Sequence, residues 1–298
     1  MPLAVCLDGR HGGPDALRVS VLDRGFAYGD GVFEVLRTYR GRPFDLDAHL
    51  ARLEGGLAAL GIACPVSRAT LAAEVEATVA RSGEVECAVR VVVTRGEAHA
   101  PGLDPALAPV PTRVVLAGPL GLPPSARYRR GVTATRVAVP WLSSAPSEIG
   151  DLRALKSLNY LASLRAQDVA RARGCDEALL VEVDGAVREA ASANVFAVVD
   201  GAVVTPEGAG LLPGVTRTRV LGVLRDAGIA VRFAALDDAI LSAATEVFLT
   251  ASLREVMPVT ALDGVLVGDG LPGPLTRRVH RLYRAQTPAA ADPMPWEG

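Results

Sequence analysis

The apolar residues of this 298-residue chain come in short bursts broken by Gly, Pro or Arg. Such bursts suit buried strands and short helices, and none approaches the roughly 18 consecutive apolar residues that cross a bilayer. Asp-Gly pairs punctuate the second half: Asp184-Gly185 and Asp200-Gly201 each sit between alternating apolar runs, and Asp263-Gly264 follows. Asp-Gly is a strong two-residue hairpin signal, so these pairs predict an antiparallel meander. At roughly 100 to 200 residues per domain the chain is long enough for two domains. Half of its residues are hydrophobic and 21% are charged, a globular balance that excludes a wholly disordered chain, a collagen-like repeat and a coiled coil. The net charge of −2 gives no field for holding nucleic acid or an anionic membrane. A small-molecule partner is expected instead. The stretch Met1–Arg10 lacks a basic region followed by an apolar one, so a cytoplasmic protein is expected. Cys6, Cys64, Cys87 and Cys175 have no close spacing, against both a disulfide framework and a metal site.

Along the first half, Val19 to Tyr39 reads as extended segments around a turn at Gly29-Asp30-Gly31. Asp45 or Asp47 can cap a helix through His49, Leu50, Leu53, Leu57 and Leu60 that ends near Gly61. Ser67 caps a second helix to about Ser82, with Glu74 and Glu76 facing water. Cys87–Thr94 is a β-branched run that suits a buried strand, a Gly/Pro-rich loop spans Gly96–Pro111, and Arg113–Ala117 is another strand. The proline-rich stretch Gly118–Ala126 reads as a linker. The expected organisation is a smaller N-terminal α/β domain over 1–120, a linker over 121–127, a larger domain over 128–285 and a flexible tail over 286–298.

In the second half, helical spacing runs from Leu155 to Arg173, after a Pro146–Gly150 loop, and stops at Gly174. Thr216 begins a helix through Val220, Leu221 and Leu224 to Gly228. Asp237 or Asp238 starts a short helix, Glu246–Ala251 is a strand, and a last helix covers Pro274–Ala285. No internal repeat is visible.

Of 31 basic residues, 30 are arginine and one is lysine, Lys156. Such a ratio suggests a coding bias towards arginine wherever either cation serves. Lys156 is the position that did not drift. A primary amine, unlike a guanidinium, can lose its proton near neutral pH and attack a carbonyl to form a Schiff base. Downstream, Glu189 lies on the return strand of the first Asp-Gly hairpin. In Leu212-Pro213-Gly214-Val215-Thr216-Arg217 a tight turn opens a helix whose first N–H groups, with the Thr216 hydroxyl, form an anion site. An amine nucleophile, a carboxylate and a phosphate-sized anion site are what a protein supplies to pyridoxal 5'-phosphate.

The sequence resembles the class IV aminotransferases, fold-type IV pyridoxal-phosphate enzymes that include branched-chain and D-amino-acid aminotransferases and 4-amino-4-deoxychorismate lyase. The matching segments are Asp23–Glu34, His49–Leu53, Lys156–Tyr160, Glu189–Phe196 and Leu212–Arg217. The resemblance implies an α/β (α+β) fold of two domains, the larger with an antiparallel-rich β core, and a homodimer with the cofactor between the domains. It implies that Lys156 is the Schiff-base lysine and carries the proton between the substrate Cα and the cofactor's C4′. Glu189 is implied as the partner of the pyridine nitrogen. Arg52 resembles the arginine that clamps the phosphate, helped by Val215 and Thr216. Leu212 resembles the side chain under the ring, Ser252 a further phosphate or carboxylate contact, and Tyr160 the phenol bonded to O3′.

The implied activity is transfer of an amino group from an amino acid, of branched-chain or D-amino-acid type, to a 2-oxo acid. The lyase that releases pyruvate and 4-aminobenzoate is an alternative, and a non-catalytic relative is a third. Tyr28 and Phe33 resemble side-chain-pocket residues of the branched-chain enzymes, and Arg90 matches an arginine on the strand beside their carboxylate site. Thr94-Arg95-Gly96 is shared with the D-amino-acid enzymes, and Ser252-Leu253-Arg254 is lyase-like. Arg90 and Arg95 are odd-spaced, so at most one reaches the pocket from a regular strand. Asn194 reads as a turn-stabilising amide, and the resemblance implies that a loop of the neighbouring subunit completes the pocket, with His99–Gly102 a candidate for it.

Overall fold

A computed structural model describes residues 3–139 and 151–297 of the chain. The Pro146–Gly150 loop lies outside the described residues. The chain forms two compact units, Met1–Gly121 with Leu155–Asn159, and Leu122–Ala154 with Tyr160–Gly298.

The first unit contains β1 (Ala4–Leu7), β2 (Arg10–Gly12), α1 (Arg24–Tyr28), β3 (Gly31–Tyr39), β4 (Arg42–Pro43), α2 (Leu46–Ala59), α3 (Arg68–Ser82), β5 (Cys87–Thr94) and β6 (Thr112–Pro119). Its strands form one antiparallel sheet in the order β2-β1-β6-β5-β3-β4. Two of its hairpins turn on residue pairs that both have positive φ, Asp8-Gly9 (50° and 83°) and Arg40-Gly41 (53° and 75°). The first carries the same dipeptide signal as the later hairpins. Leu50, Leu53 and Leu57 of α2 and Leu71, Val75 and Val79 of α3 pack on Val89, Val91 and Val93 of β5. Burying each such side chain stabilises by about 1.5–3 kcal/mol.

Three local expectations are corrected here. Residues 24–28 form a short helix rather than an extended segment, because the Asp23 side chain accepts from Gly25 N and caps it. Glu74 is buried rather than facing water, because Arg113 on β6 reaches it at 2.8 Å. Lys156 is not helical: its carbonyl accepts from Phe33 N at 2.9 Å and Leu158 N donates to Gly31 O at 3.0 Å, so the segment is drawn out along β3.

The second unit contains α4 (Ser125–Arg130), β7 (Val132–Ala138), α5 (Leu161–Ala172), β8 (Glu177–Val181), β9 (Val187–Ala190), β10 (Ala193–Val199), β11 (Ala202–Thr205), α6 (Val215–Asp226), β12 (Val231–Phe233), α7 (Asp238–Ala243), β13 (Glu246–Ala251), β14 (Glu255–Leu262), β15 (Val265–Leu266) and α8 (Pro274–Arg284). Because β9 pairs with both β8 and β10, the strands β10-β13-β14-β7-β8-β9 close into a ring. Closure leaves these strands with no open edge. Alternate residues such as Ala134, Leu179, Val187, Val195, Val247, Leu249 and Met257 form its core. Most pairs are antiparallel, and β7 runs parallel to β8 and β14. Asp200-Gly201 and Asp263-Gly264 are two-residue turns with positive φ at both positions. At Asp184-Gly185 only the glycine has positive φ, and the hairpin is longer and bulged at Leu180/Val181.

The tail, expected to be flexible, is packed in this unit. Thr287, Ala289 and Met294 are buried, and the Trp296 ring meets the His280 ring at 5.0 Å. Apolar anchors set at intervals in an Ala/Pro-rich stretch supply the burial that its composition obscures. No helix among the described residues is long and apolar enough to cross a membrane.

Candidate active site

In the first unit, Ser157 bridges to Val32, which fixes the backbone on either side of Lys156. The Lys156 Nζ lies 4.7 Å from the centroid of the Phe33 ring, and the Arg90 guanidinium lies 4.0 Å from the same centroid. Phe33 is opposite Val92, and Arg90 is opposite Val35, so these side chains share the sheet face away from α2 and α3. The structure therefore brings together Lys156, Phe33 and Arg90. An aromatic face attracts cations, which brings both to one ring.

The other face carries Arg52. Glu34 on β3 is fully buried and accepts from Arg52 Nε and Nη2, each at 2.7 Å, and from His49 Nδ1 at 2.7 Å. His49 and Arg52 are one helical turn apart on α2, which aims both at one carboxylate. Burial pushes the Glu34 carboxyl up, but hydrogen bonds from Arg52 and His49 outweigh it and hold the group below its ordinary range. Sequence reasoning missed Glu34 and His49 as a holder for Arg52. The acid in β3 and the His-x-x-Arg spacing were the available signal.

Arg95 is placed differently. It bonds Asp30 through Nε at 2.8 Å and the carbonyls of Leu60 and Gly61 through its terminal nitrogens. Asp30 also receives Arg24 Nε at 2.8 Å, and Arg24 reaches the carbonyls of Gly102 and Leu103. Two guanidiniums on one carboxylate thus tie the 96–111 loop, with His99, to the start of β3. Tyr28 ends α1 half-exposed, with Arg24 5.1 Å from its ring centroid.

In the second unit, Glu189 on β9 and Asn194 on β10 are cross-strand neighbours. Glu189 Oε2 accepts from Leu212 N at 3.3 Å, while Asn194 Nδ2 donates to Leu212 O at 3.0 Å. One residue's backbone is gripped at both its N–H and its carbonyl, which fixes the turn into α6. Gly214 caps that helix, and a Cβ there would lie 1.9 Å from Asn194 Oδ1. The N–H groups of Val215 and Thr216 belong to the first turn and have no intrahelical acceptor. Tyr160 caps α5, with its carbonyl accepting from Leu164 N. Ser252 and Leu253 lie in the turn between β13 and β14. Two residues beyond Leu253, Glu255 sits at φ 59° and is held by His280 and Arg284.

Gly214→Ala is expected to displace Asn194, release Leu212 and cost about 1–3 kcal/mol through overpacking. Thermal melting checks the stability, and a pyridoxal phosphate titration checks an expected loss of affinity of about tenfold. Each unit's donors suit that cofactor: the first offers an amine for its aldehyde and an arginine for its phosphate, the second a carboxylate for its ring nitrogen and helix-start N–H groups for an anion. The glycine cradle that admits the Asn194 amide is the structural sign that the turn is shaped rather than incidental.

Comparison with known proteins agrees. Residues 31–262 match the family described as amino-transferase class IV. The chain is 33% identical to D-alanine aminotransferase of Bacillus licheniformis, over 88% of this chain and 89% of the relative. It is also 33% identical to a putative branched-chain-amino-acid aminotransferase of Methanocaldococcus jannaschii, over 95% and 96%. The crystal structure of Escherichia coli branched-chain amino acid aminotransferase superposes with a TM-score of 0.88 at 28% identity, covering 98% of this chain and 97% of that one. A branched-chain amino acid aminotransferase of T.th., complexed with N-(5'-phosphopyridoxyl)-L-glutamate, superposes at 0.87 and 27% identity, covering 99% and 96%.

Proposed function

The chain belongs to the class IV aminotransferase family and is a pyridoxal-phosphate-dependent transaminase, and from that premise we propose which residues perform the transfer and on what. The relatives named above are aminotransferases, so neither the lyase nor a non-catalytic role is favoured. When bound, the cofactor supplies a reactive carbonyl and an electron-withdrawing ring. Lys156 would hold it through Nζ and, once a donor amine has displaced it, would be the base that moves the proton at the substrate Cα. Glu189 would partner the ring nitrogen and favour its protonated form. Arg52, held by Glu34, and the N–H groups of Val215 and Thr216 would hold the phosphate, and the Ser252 hydroxyl would add a further contact. Leu212 would support the ring face and Tyr160 would bond O3′.

The substrate reading rests on the arrangement of Arg90 and Lys156 over the Phe33 ring. Arg90 receives the carboxylate of an amino acid, and Phe33, Tyr28 and Leu253 contact an apolar side chain of branched-chain or D-alanine type. Arg95 bonds Asp30 and two carbonyls, whereas Arg90 shares the Phe33 ring with Lys156, so the carboxylate is assigned to Arg90. Titration of the holoenzyme with single L- and D-amino acids, without acceptor, tests this. One enantiomeric series is expected to bleach the visible band and release its 2-oxo acid, followed by amino transfer to an added 2-oxo acid. No response to any amino acid would refute the reading.

The same reading includes a homodimer in a reducing, cytoplasmic compartment. Phe26 and Leu103 are 76% and 80% exposed on segments tied by Ala98 N to Leu22 O and by Arg24 to Leu103 O, and exposed apolar side chains of this kind support contact with a second copy. All four cysteines are free.

A further inference from the structure

Glu189 is held by more than its own strand. Its Oε2 accepts from Leu212 N, and its Oε1 lies 3.6 Å from Nη2 of Arg153. Nη1 of Arg153 meets Oε1 of Glu182, whose other oxygen is 3.4 Å from Arg188 Nε. Arg188 in turn pairs with Asp184 at 2.6 Å. Charges therefore alternate from Asp184 through Arg188, Glu182 and Arg153 to Glu189. The Arg153 and Glu182 side chains are only 8% and 3% exposed. Each terminal nitrogen of Arg153 faces a carboxylate, Nη1 that of Glu182 and Nη2 that of Glu189, so it acts on both as a charge.

The backbone of Arg153 is tied to the same loop that Glu189 grips. Asp151 Oδ1 accepts from Arg153 N and Ala154 N at 3.1 and 3.2 Å, and its Oδ2 accepts from Gly210 N at 2.6 Å. Loop 210–216, Arg153 and Glu189 are thus registered against one another. Burial acts against the Arg153 cation and lowers its proton affinity, with Glu189 and Asp151 pulling the other way. A cation kept buried beside Glu189 needs a reason beyond a surface ion pair.

We propose that Arg153 is a positioning residue that holds Glu189 ionised and aimed for the cofactor's ring nitrogen. This rests on the assignment of Glu189 as that nitrogen's partner. A cation beside a carboxylate favours its charged form, so the shared proton stays on the ring, where it is needed to draw electrons from the substrate Cα. Arg153 also limits the orientations open to Glu189, which lowers the cost of meeting the ring in one geometry.

Holoenzymes of Arg153→Met, Arg153→Gln, Arg153→Lys and Glu189→Gln test this by two readouts, release of pyridoxal phosphate into a trap and the pH titration of the visible band. The neutral Arg153 variants are expected to release cofactor about tenfold faster and to move the titration midpoint by about half a unit or more. Arg153→Lys is expected to recover most of both, since charge is what acts. A folded neutral variant with wild-type release and titration overturns the proposal. If neither neutral variant folds while Arg153→Lys does, the charge serves the fold and the proposal also falls. Glu189→Gln with wild-type values would instead refute the Glu189 assignment, whereas an impaired Glu189→Gln beside a wild-type-like Arg153→Met refutes the role of Arg153 alone.

Discussion

Lys156→Arg is expected to lower kcat by about 10⁴-fold or more while the protein keeps its fold and its charge at that position. A guanidinium stays protonated, so it can neither form the imine nor carry the Cα proton. The stability expectation is as definite. The Lys156 side chain stacks on Phe33, an aromatic face that accepts arginine at least as well, and the backbone bonds of Lys156 and Leu158 to β3 do not involve the side chain. Steady-state kinetics with a saturating amino donor, paired with thermal melting, separates the two effects. A variant lacking the amine that turns over at the wild-type rate contradicts the mechanism.

Glu34→Gln is the second large effect, and it acts on stability and cofactor binding together. The amide offers one acceptor oxygen where Arg52 and His49 need two, and it leaves the Arg52 cation beside β3 without its counter-charge. Removing one partner of a buried ion pair costs about 3–5 kcal/mol. Arg52 then loses the bidentate hold that presents it, and cofactor affinity falls with it. Acid has a related effect. The folded-state Glu34 carboxyl lies below its ordinary value of 4.5, so its contribution is full above about pH 4.5 and is lost as pH falls through the depressed folded value. Wild-type melting temperature should therefore fall on acidification below that point, with a shallower fall in Glu34→Gln. Equal acid slopes for the two proteins would argue against the carboxylate as the anchor.

Local signals in the sequence carried much of the fold. Cys87–Thr94 is a strand where its β-branched run indicated and Glu246–Ala251 is a strand as expected, Ser67 caps α3, and Asp200-Gly201 and Asp263-Gly264 turn as their φ preferences require. These features depend on neighbours a few residues away. The misread ones depend on distant partners. Helical spacing around Leu155–Tyr160 yields to pairing with Gly31 and Phe33, and Glu74 is drawn inward by Arg113. The tail is held by His280 through Trp296.

The candidate site divides the same way. Residue types and order pointed to Lys156, Glu189 and the Gly214–Thr216 turn. The groups that orient them, Glu34 and His49 for Arg52, Asn194 for Leu212, and Arg153 for Glu189, become visible only when strands and helices far apart in the chain are brought side by side. Arg90 and Arg95 show the limit most clearly. Odd spacing separates their directions, but only the carbonyls of Leu60 and Gly61 and the carboxylate of Asp30 show what Arg95 holds.

The central claim is that Lys156 carries the cofactor, and borohydride reduction of the holoenzyme followed by peptide mapping tests it most directly. The chain has a single lysine, so the outcome is unambiguous. The expected result is loss of the visible band with one phosphopyridoxyl label, on the peptide that contains Lys156. A label confined to the terminal amine, or none on a protein that still transaminates, would contradict it.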